Sequence, residues 1–198
     1  MPLKTNEIAF VLMALLTTVG CASHSTPTRT ISNVFELDQS QTAAPFGDRV
    51  SENIFNYSRV SPNIGISGRL NEAGIKEAQE VGFALIIDLR QPTEDGVDME
   101  KRVTDKLDLP YRNVPFSSDE TVWNDVDEIA SLLNDSANYP VLIHCGSANR
   151  AGAFWALYRA RDNVDPVIAI EEGRAVGLSS RENQVRKLLS LPILATDG

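Results

Sequence analysis

Cys145 and Arg150 bracket four small or polar residues, Gly146, Ser147, Ala148 and Asn149, within the stretch YPVLIHCGSANRAGAFWALY from Tyr139 to Tyr158. A thiol and a guanidinium at this spacing suit nucleophilic attack on a tetrahedral anion. The small residues let the backbone curl with its N–H groups turned inward, and such a nest at a helix N-terminus attracts an anion. The same positive end favours a thiolate, and cysteines so placed have pKa values lowered to about 3.5 to 7.5. Arg150 adds a fixed fork of donors that matches a pair of phosphate or sulfate oxygens. Cys145 is therefore the candidate nucleophile, and Gly146, Ser147, Ala148, Asn149 and Arg150 form the candidate anion cradle. His144 is assigned an orienting role through hydrogen bonding. Asn149 reads equally as a residue that shapes the loop and as a simple turn residue. This chemistry calls for no metal and no cofactor.

The loop needs a strand before it and a helix after it. Pro140 to Ile143 is a short apolar run with strand character, and Ala151 to Arg161 has helix formers with bulky residues at helical spacing. Upstream, Ile54 to Val60 and Ile64 to Gly68 read as a hairpin around Ser61-Pro62-Asn63. Leu70 to Val81 reads as a helix, with Asn71 near its start. Phe83 to Leu89, FALIIDL, has the continuous apolar character of a strand buried on both faces, and should neighbour the strand before Cys145. Val97 to Leu107 and Thr121 to Leu133 carry apolar residues at helical spacing, with a short strand from Leu109 to Phe116 between them. Asp165-Pro166 opens another helix, and Ser179 with Glu182 forms a capping box for a last one through Leu189. The fold class is α/β, a central, mostly parallel sheet flanked by helices with an N-terminal hairpin. Ligands belong at the carboxyl ends of its strands, and Cys145 stands at such an end. Arg90 and Glu94 read as ties between a strand end and its turn, and Trp155 and Tyr158 as core.

The chain has 198 residues, 42% hydrophobic and 23% charged, with a net charge of −9. That charge excludes general attraction to nucleic acid or to an anionic membrane surface. Ile8 to Gly20 is too short to span a bilayer but suits the core of a signal peptide. The ending Thr18-Val19-Gly20-Cys21 resembles a bacterial lipobox, with Thr18 departing from the usual Leu, and plain cleavage after Ala22 is the competitor. The organisation is then a signal peptide over 1–21, a flexible linker over 22–50, the catalytic domain over 51–192 and a tail over 193–198. The protein is expected to be exported to the periplasm and tethered as a lipoprotein through Cys21, its only engagement with a membrane. With Cys21 assigned to targeting, Cys145 is the sole cysteine of the domain, which leaves no internal disulfide framework, and a reactive thiol is favoured over a buried small hydrophobe.

Taken with His144 before it, the Cys145–Arg150 loop resembles the active loop of the cysteine-dependent protein tyrosine and dual-specificity phosphatase superfamily. Further likenesses are Ser67-Gly68-Arg69, the Ile87-Asp88-Leu89-Arg90 strand end with Glu94 after it, and Gly173 to Leu178. In these details the chain is most similar to the bacterial phosphatase-like domain found fused to NAD kinase and in β-lactamase-hydrolase-like proteins. The resemblance implies a dual-specificity-phosphatase-like fold, phosphate-monoester hydrolysis through a phosphocysteine, and a phosphorylated protein or small molecule as partner. It also implies a general acid on an upstream loop, for which Asp119 is the candidate, with Glu120 and Asp125 behind it; helix capping before Thr121 accounts for Asp119 equally well. Two departures stand out. Most of the superfamily has five residues between Cys and Arg, where this chain has four, a length shared with rhodanese sulfurtransferases. The usual hydroxyl after the Arg is replaced by Ala151. A rhodanese-like sulfurtransferase carrying a persulfide on Cys145, and a non-catalytic envelope protein that binds an anion or a partner, are the alternatives.

Metabolic labelling with a fatty acid in a bacterial host should mark the chain, and Cys21→Ser should remove the mark. A label that survives the substitution would reject lipidation at Cys21.

Overall fold

The computed structural model describes residues 33–37, 49–117, 119 and 121–195. The apolar run Ile8 to Gly20, Cys21, Glu120 and the last three residues of the tail lie outside the described residues. Ser58–Ser61 (β1) and Ile64–Ser67 (β2) form the expected antiparallel hairpin. They are followed by Glu72–Glu80 (α1), Leu85–Asp88 (β3), Val97–Lys106 (α2), Tyr111–Asn113 (β4), Val122–Leu133 (α3) and Val141–His144 (β5). Asn149–Arg161 (α4), Pro166–Ala175 (α5) and Glu182–Leu188 (α6) complete the order. The strands pair as β1-β2-β5-β3-β4, and every pairing after the hairpin is parallel. Among the described residues, no helix is long and apolar enough to cross a membrane.

The continuous apolar runs of β3 and β5 follow from their central place, covered by helices on both faces. Leu85, Ile87, Val141 and Ile143 pack with Val122, Val126, Ile129 and Phe154 on one side. Ile86 and Leu142 pack with Ile75, Ala78 and Val103 on the other. The alternation is the two-residue period of a pleated strand. Parallel register brings Ser67, His144, Asp88 and Asn113 level with one another at the carboxyl ends. Cys145 is the next residue of the central strand.

The helix boundaries have local causes. Asn71 caps α1 by accepting the Gly74 amide at 2.8 Å, and Asp165 caps α5 with Pro166 at its first position. The capping box read at Ser179 and Glu182 does not form. Arg181 precedes α6 instead, and the Glu182 carboxylate accepts from Arg174 at 2.7 and 2.6 Å and from Arg186 at 2.7 Å. Two charged donors outcompete a single backbone N–H for that carboxylate. Within the segment read as a linker, Val34 is buried in the core, and the Asn63 side-chain amide donates to the carbonyls of Val34 (3.3 Å) and Glu36 (2.8 Å).

Helices α4 and α5 touch backbone to backbone. A Cβ on Gly152 would stand 2.3 Å from the Leu178 amide nitrogen and 2.8 Å from the Gly173 carbonyl oxygen. Gly152→Ala should therefore push the two helices apart and lower the free energy of urea unfolding by about 1–3 kcal/mol, the usual cost of overpacking. An unchanged unfolding midpoint would show that the contact yields freely.

Candidate active site

The loop after β5 is held from several sides. The Cys145 amide donates to the Ser67 carbonyl (3.3 Å), and the Arg69 amide donates to the Gly146 carbonyl (3.2 Å). Gly68 forms an isolated bridge to Ser147, whose carbonyl also accepts from the Asn56 side chain at 3.3 Å. Ala148 turns the chain into α4 with φ 73°, a left-handed conformation that costs a non-glycine residue about 1–2 kcal/mol. Its methyl packs where a Cβ on Gly177 would come within 2.6 Å. The shortened loop thus stays curled because β2, the 177–181 turn and its own left-handed corner leave it no other path. A cavity of about 160 Å³, lined by Glu52, Asn53, Phe55, Arg69 and Asn71, lies beside it.

Cys145 is a free thiol, 1% exposed, at the start of this loop. Arg150, in the first turn of α4, pairs with Glu94, and Cys145 is among the groups that raise it above its ordinary value. Its guanidinium grips the Glu94 carboxylate with two bonds, one of them 2.6 Å from Nη2 to Oε2. That bond from Arg150 holds the Glu94 carboxyl below the usual carboxylate range, and the same bond raises Arg150 above its ordinary value. Glu94 also accepts the Gln91 amide at 2.7 Å, so it ties the turn after β3, as read from sequence, and orients the arginine besides.

Under the loop lies a group of ionisable side chains shut off from water. Asp88, Glu100 and His144 are fully buried and Arg90 is 4% exposed. Arg90 Nη2 stands 2.8 Å from Asp88 and 2.7 Å from Glu100, while His144 Nε2 stands 3.0 Å from Glu100 and 3.8 Å from Asp88. The Tyr111 hydroxyl donates to Asp88 at 2.9 Å, and Arg90 Nη1 donates to the Asp95 carbonyl at 2.9 Å. Burial opposes the charged imidazole, but Glu100 and Asp88 outweigh it and raise His144. Burial likewise opposes the Asp88 carboxylate, yet His144 and Arg90 hold it below its usual value. Arg90 and His144 thus face the carboxyl groups of Asp88 and Glu100 at close range, out of contact with water. The donor atoms of Asp88, Glu100 and His144 lie within 4.8 Å of one another, a set a divalent cation could use. Arg90 supplies the positive charge at the two carboxylates.

Asp119 lies exposed ahead of α3. Its carboxylate accepts from the Thr121 amide at 2.9 Å and from the Thr121 hydroxyl, bonds that hold it below its usual value. Asp125, on α3, accepts the Ser117 amide at 2.7 Å. Asn149 fastens the loop to the turn before α6: its Oδ1 accepts from the amides of Ser179 (2.9 Å) and Arg181 (3.4 Å), and its Nδ2 donates to Ser180 Oγ at 2.7 Å. Ala151 is fully buried, and Ser147 is exposed. Reasoning from sequence missed two residues of this region, Glu100 and Arg181, and gave Glu94 only the turn and not its pairing with Arg150. Glu94 is separated from Arg150 by 56 positions, Glu100 is one charge of an amphipathic helix, and Arg181 enters through the 179–181 turn.

No family model and no curated relative matches the chain. Solved structures do. The catalytic core of the PP-IP phosphatase SIW14 from S. cerevisiae, in complex with citrate, aligns with a TM-score of 0.57 at 17% identity over 70% of this chain and 87% of that one. TpbA of P. aeruginosa, in complex with phosphotyrosine, gives 0.54 at 21% identity over 76% and 90%. Kinase associated phosphatase with its catalytic-site cysteine replaced by serine gives 0.52 at 16% identity over 63% and 83%. At these identities the likeness is one of fold. The chain has the fold of the cysteine-based tyrosine and dual-specificity phosphatases, as the motif resemblance implied.

The buried charges set a pH window for stability. The raised His144 contributes fully below its unfolded value near 6.5 and loses that contribution as pH rises through its folded value. The depressed Asp88 contributes above its unfolded value near 3.9 and loses it as pH falls through its folded value. Urea unfolding should show the group at full strength between about pH 4 and 6.5. Glu100→Gln should cost about 3–5 kcal/mol there, as expected for one partner of a buried ionic group, and flatten the decline above that window. An unchanged slope would remove His144 from the linkage.

Proposed function

We propose that the chain hydrolyses phosphate monoesters through a phosphocysteine formed on Cys145. The observation that carries this reading is the meeting of a free thiol, a curled loop and an oriented guanidinium at the carboxyl end of the central strand. The sulfur attacks phosphorus in line. An S–P bond forms as the ester O–P bond breaks, while the loop N–H groups and Arg150 hold the three equatorial oxygens. Water then cleaves the S–P bond and releases inorganic phosphate. Glu94 keeps the Arg150 fork oriented before substrate arrives, and an incoming dianion competes with it for the guanidinium. Asp119 is assigned the proton donated to the leaving oxygen, a role that requires its bonds to Thr121 to give way. Ser147, the loop's own hydroxyl, is assigned the help in thiolate departure that Ala151 lacks.

The structural neighbours support a phosphorylated substrate and a thiol nucleophile: one is bound to phosphotyrosine, one is called a PP-IP phosphatase, and one carries a substituted catalytic-site cysteine. The N-terminal pattern supports action in the periplasm, with a membrane engaged only through lipid on Cys21. The loop of four residues keeps one competitor in view, sulfur transfer through a Cys145 persulfide.

The purified chain should hydrolyse an aryl phosphate at mildly acidic pH. Cys145→Ser should abolish this, and Arg150→Ala should lower kcat by about 10²–10³, the cost of one oxyanion donor. Asp119→Asn should slow phenyl phosphate by about 10²–10⁴ and p-nitrophenyl phosphate much less, because only the poorer leaving group needs the proton. Thiosulfate:cyanide transfer without phosphatase activity would favour the persulfide reading. Neither activity, with tungstate still raising the melting temperature, would favour a binding module.

A further inference from the structure

The hairpin continues past its two strands. Beyond them Ile54 bridges Leu70, the Gly68 amide donates to the Phe55 carbonyl at 2.6 Å, and the Phe55 amide donates to the Arg69 carbonyl at 3.4 Å. This extension lies directly against the loop after β5. The Arg69 amide donates to the Gly146 carbonyl at 3.2 Å, Gly68 bridges Ser147, and the Asn56 side chain donates to the Ser147 carbonyl at 3.3 Å. A Cβ on Gly68 would stand 2.8 Å from Phe55 Cδ1 and 3.3 Å from the Gly146 carbonyl oxygen, so the phenyl ring rests over bare backbone next to the loop. The Arg69 guanidinium covers that ring, with Cζ 5.2 Å from its centroid.

Backbone bonds hold both residues at the rim, yet Phe55 stays 40% exposed and Arg69 is exposed. With Glu52, Asn53 and Asn71 they line the cavity of about 160 Å³. The amides of that lining are already engaged: Asn71 Nδ2 donates to Asn53 Oδ1 at 2.8 Å, Asn71 Oδ1 accepts the Gly74 amide at 2.8 Å, and Asn53 Nδ2 donates to Ser51 Oγ at 2.9 Å. Arg69 is not. Among the described residues its guanidinium meets the Phe55 ring and no carboxylate, so its fork of N–H donors is open to a ligand.

Size and charge narrow the occupant. The cavity is smaller than the roughly 300 Å³ at which pockets for whole ligands begin, so it suits a side group of something held elsewhere. Glu52 sets one negative charge against that of Arg69 in the same lining. A second phosphate, at about −1.5 to −2, would leave the site further from neutrality than a carboxylate does. Successive residues of an extended peptide advance about 3.3 Å, and Arg69 is one backbone bond from Gly146. A residue next to one whose phosphate lies in the loop therefore reaches this rim.

We propose that Arg69, stacked on Phe55, is a specificity-determining residue that binds a carboxylate flanking the phosphorylated residue, and that the substrate is an acidic phosphopeptide segment of a protein. The inference rests on the phosphatase reading above.

The full chain should be assayed on two short phosphotyrosine peptides that differ only in the residues flanking the phosphotyrosine, glutamate in one and glutamine in the other. Wild-type kcat/KM should favour the acidic peptide by about fivefold, mostly through KM, the equivalent of about 1 kcal/mol for an exposed ion pair. Arg69→Gln should erase the preference and Arg69→Glu should invert it. The ratio of the two peptides on one variant does not depend on how much of that variant is folded, so misfolding cannot mimic either result. No preference in the wild type, or one that survives Arg69→Gln, would overturn the proposal, as would turnover of an aryl phosphate with neither peptide accepted. If the aryl phosphate is not hydrolysed either, the phosphatase reading fails separately. Calorimetric titration of both peptides into Cys145→Ser and Cys145→Ser/Arg69→Gln then decides the site: about fivefold tighter binding of the acidic peptide that depends on Arg69 supports it, and its absence refutes it.

Discussion

The ion group beneath the loop after β5 is the constraint on which the rest depends. Asp88 belongs to β3, His144 to β5, Glu100 to α2 and Arg90 to the turn between strand and helix. Taking each charge out of water costs several kcal/mol, a cost offset only if opposite charges meet at close range. The strand ends and the helix therefore have one relative placement in which all four are balanced. Gly96, with φ 85°, lets α2 start close to the Arg90 guanidinium, where a Cβ would stand 3.3 Å from Nη1. Cys145 follows His144 directly, so the sulfur inherits its position from this arrangement.

Above the ions, the loop is shaped before any ligand arrives. Its carbonyls at Gly146 and Ser147 accept from Arg69 and Asn56, and its last residues bind the turn before α6. Partners on both sides of the loop therefore fix its path. Much of the entropy of ordering the loop is thus spent during folding. The shorter loop is compatible with such order because Ala148 accepts a conformation usually left to glycine, and the close approach of Gly177 locks it there.

Residues 139–158 announce themselves in the sequence because strand, thiol, loop and helix follow one another within a single stretch. The order of elements was legible for the same reason: β3 and β5 are continuous apolar runs, and α2 and α3 keep a helical period. What escaped were contacts across the sheet. Glu94 looked like a turn residue because its partner lies on another element, and nothing local distinguishes Glu100 from the other charges of α2. The capping box at Ser179 and Glu182 was a sound local pattern, overruled by Arg174 and Arg186, whose charges a local rule does not count. Asp119 was ambiguous from sequence, and its bonds to Thr121 give substance to the capping half of that ambiguity.

Residues 33–37 add a matter of polarity. Asn63 holds this segment at the amino end of β2, and Phe35 rests near Trp155 and under the Arg159 guanidinium, on the later part of α4. The thiol lies at the opposite end of the sheet, beyond the carboxyl ends of the strands. A pull transmitted through residues 33–37 would load the base of the domain and leave the loop unstrained.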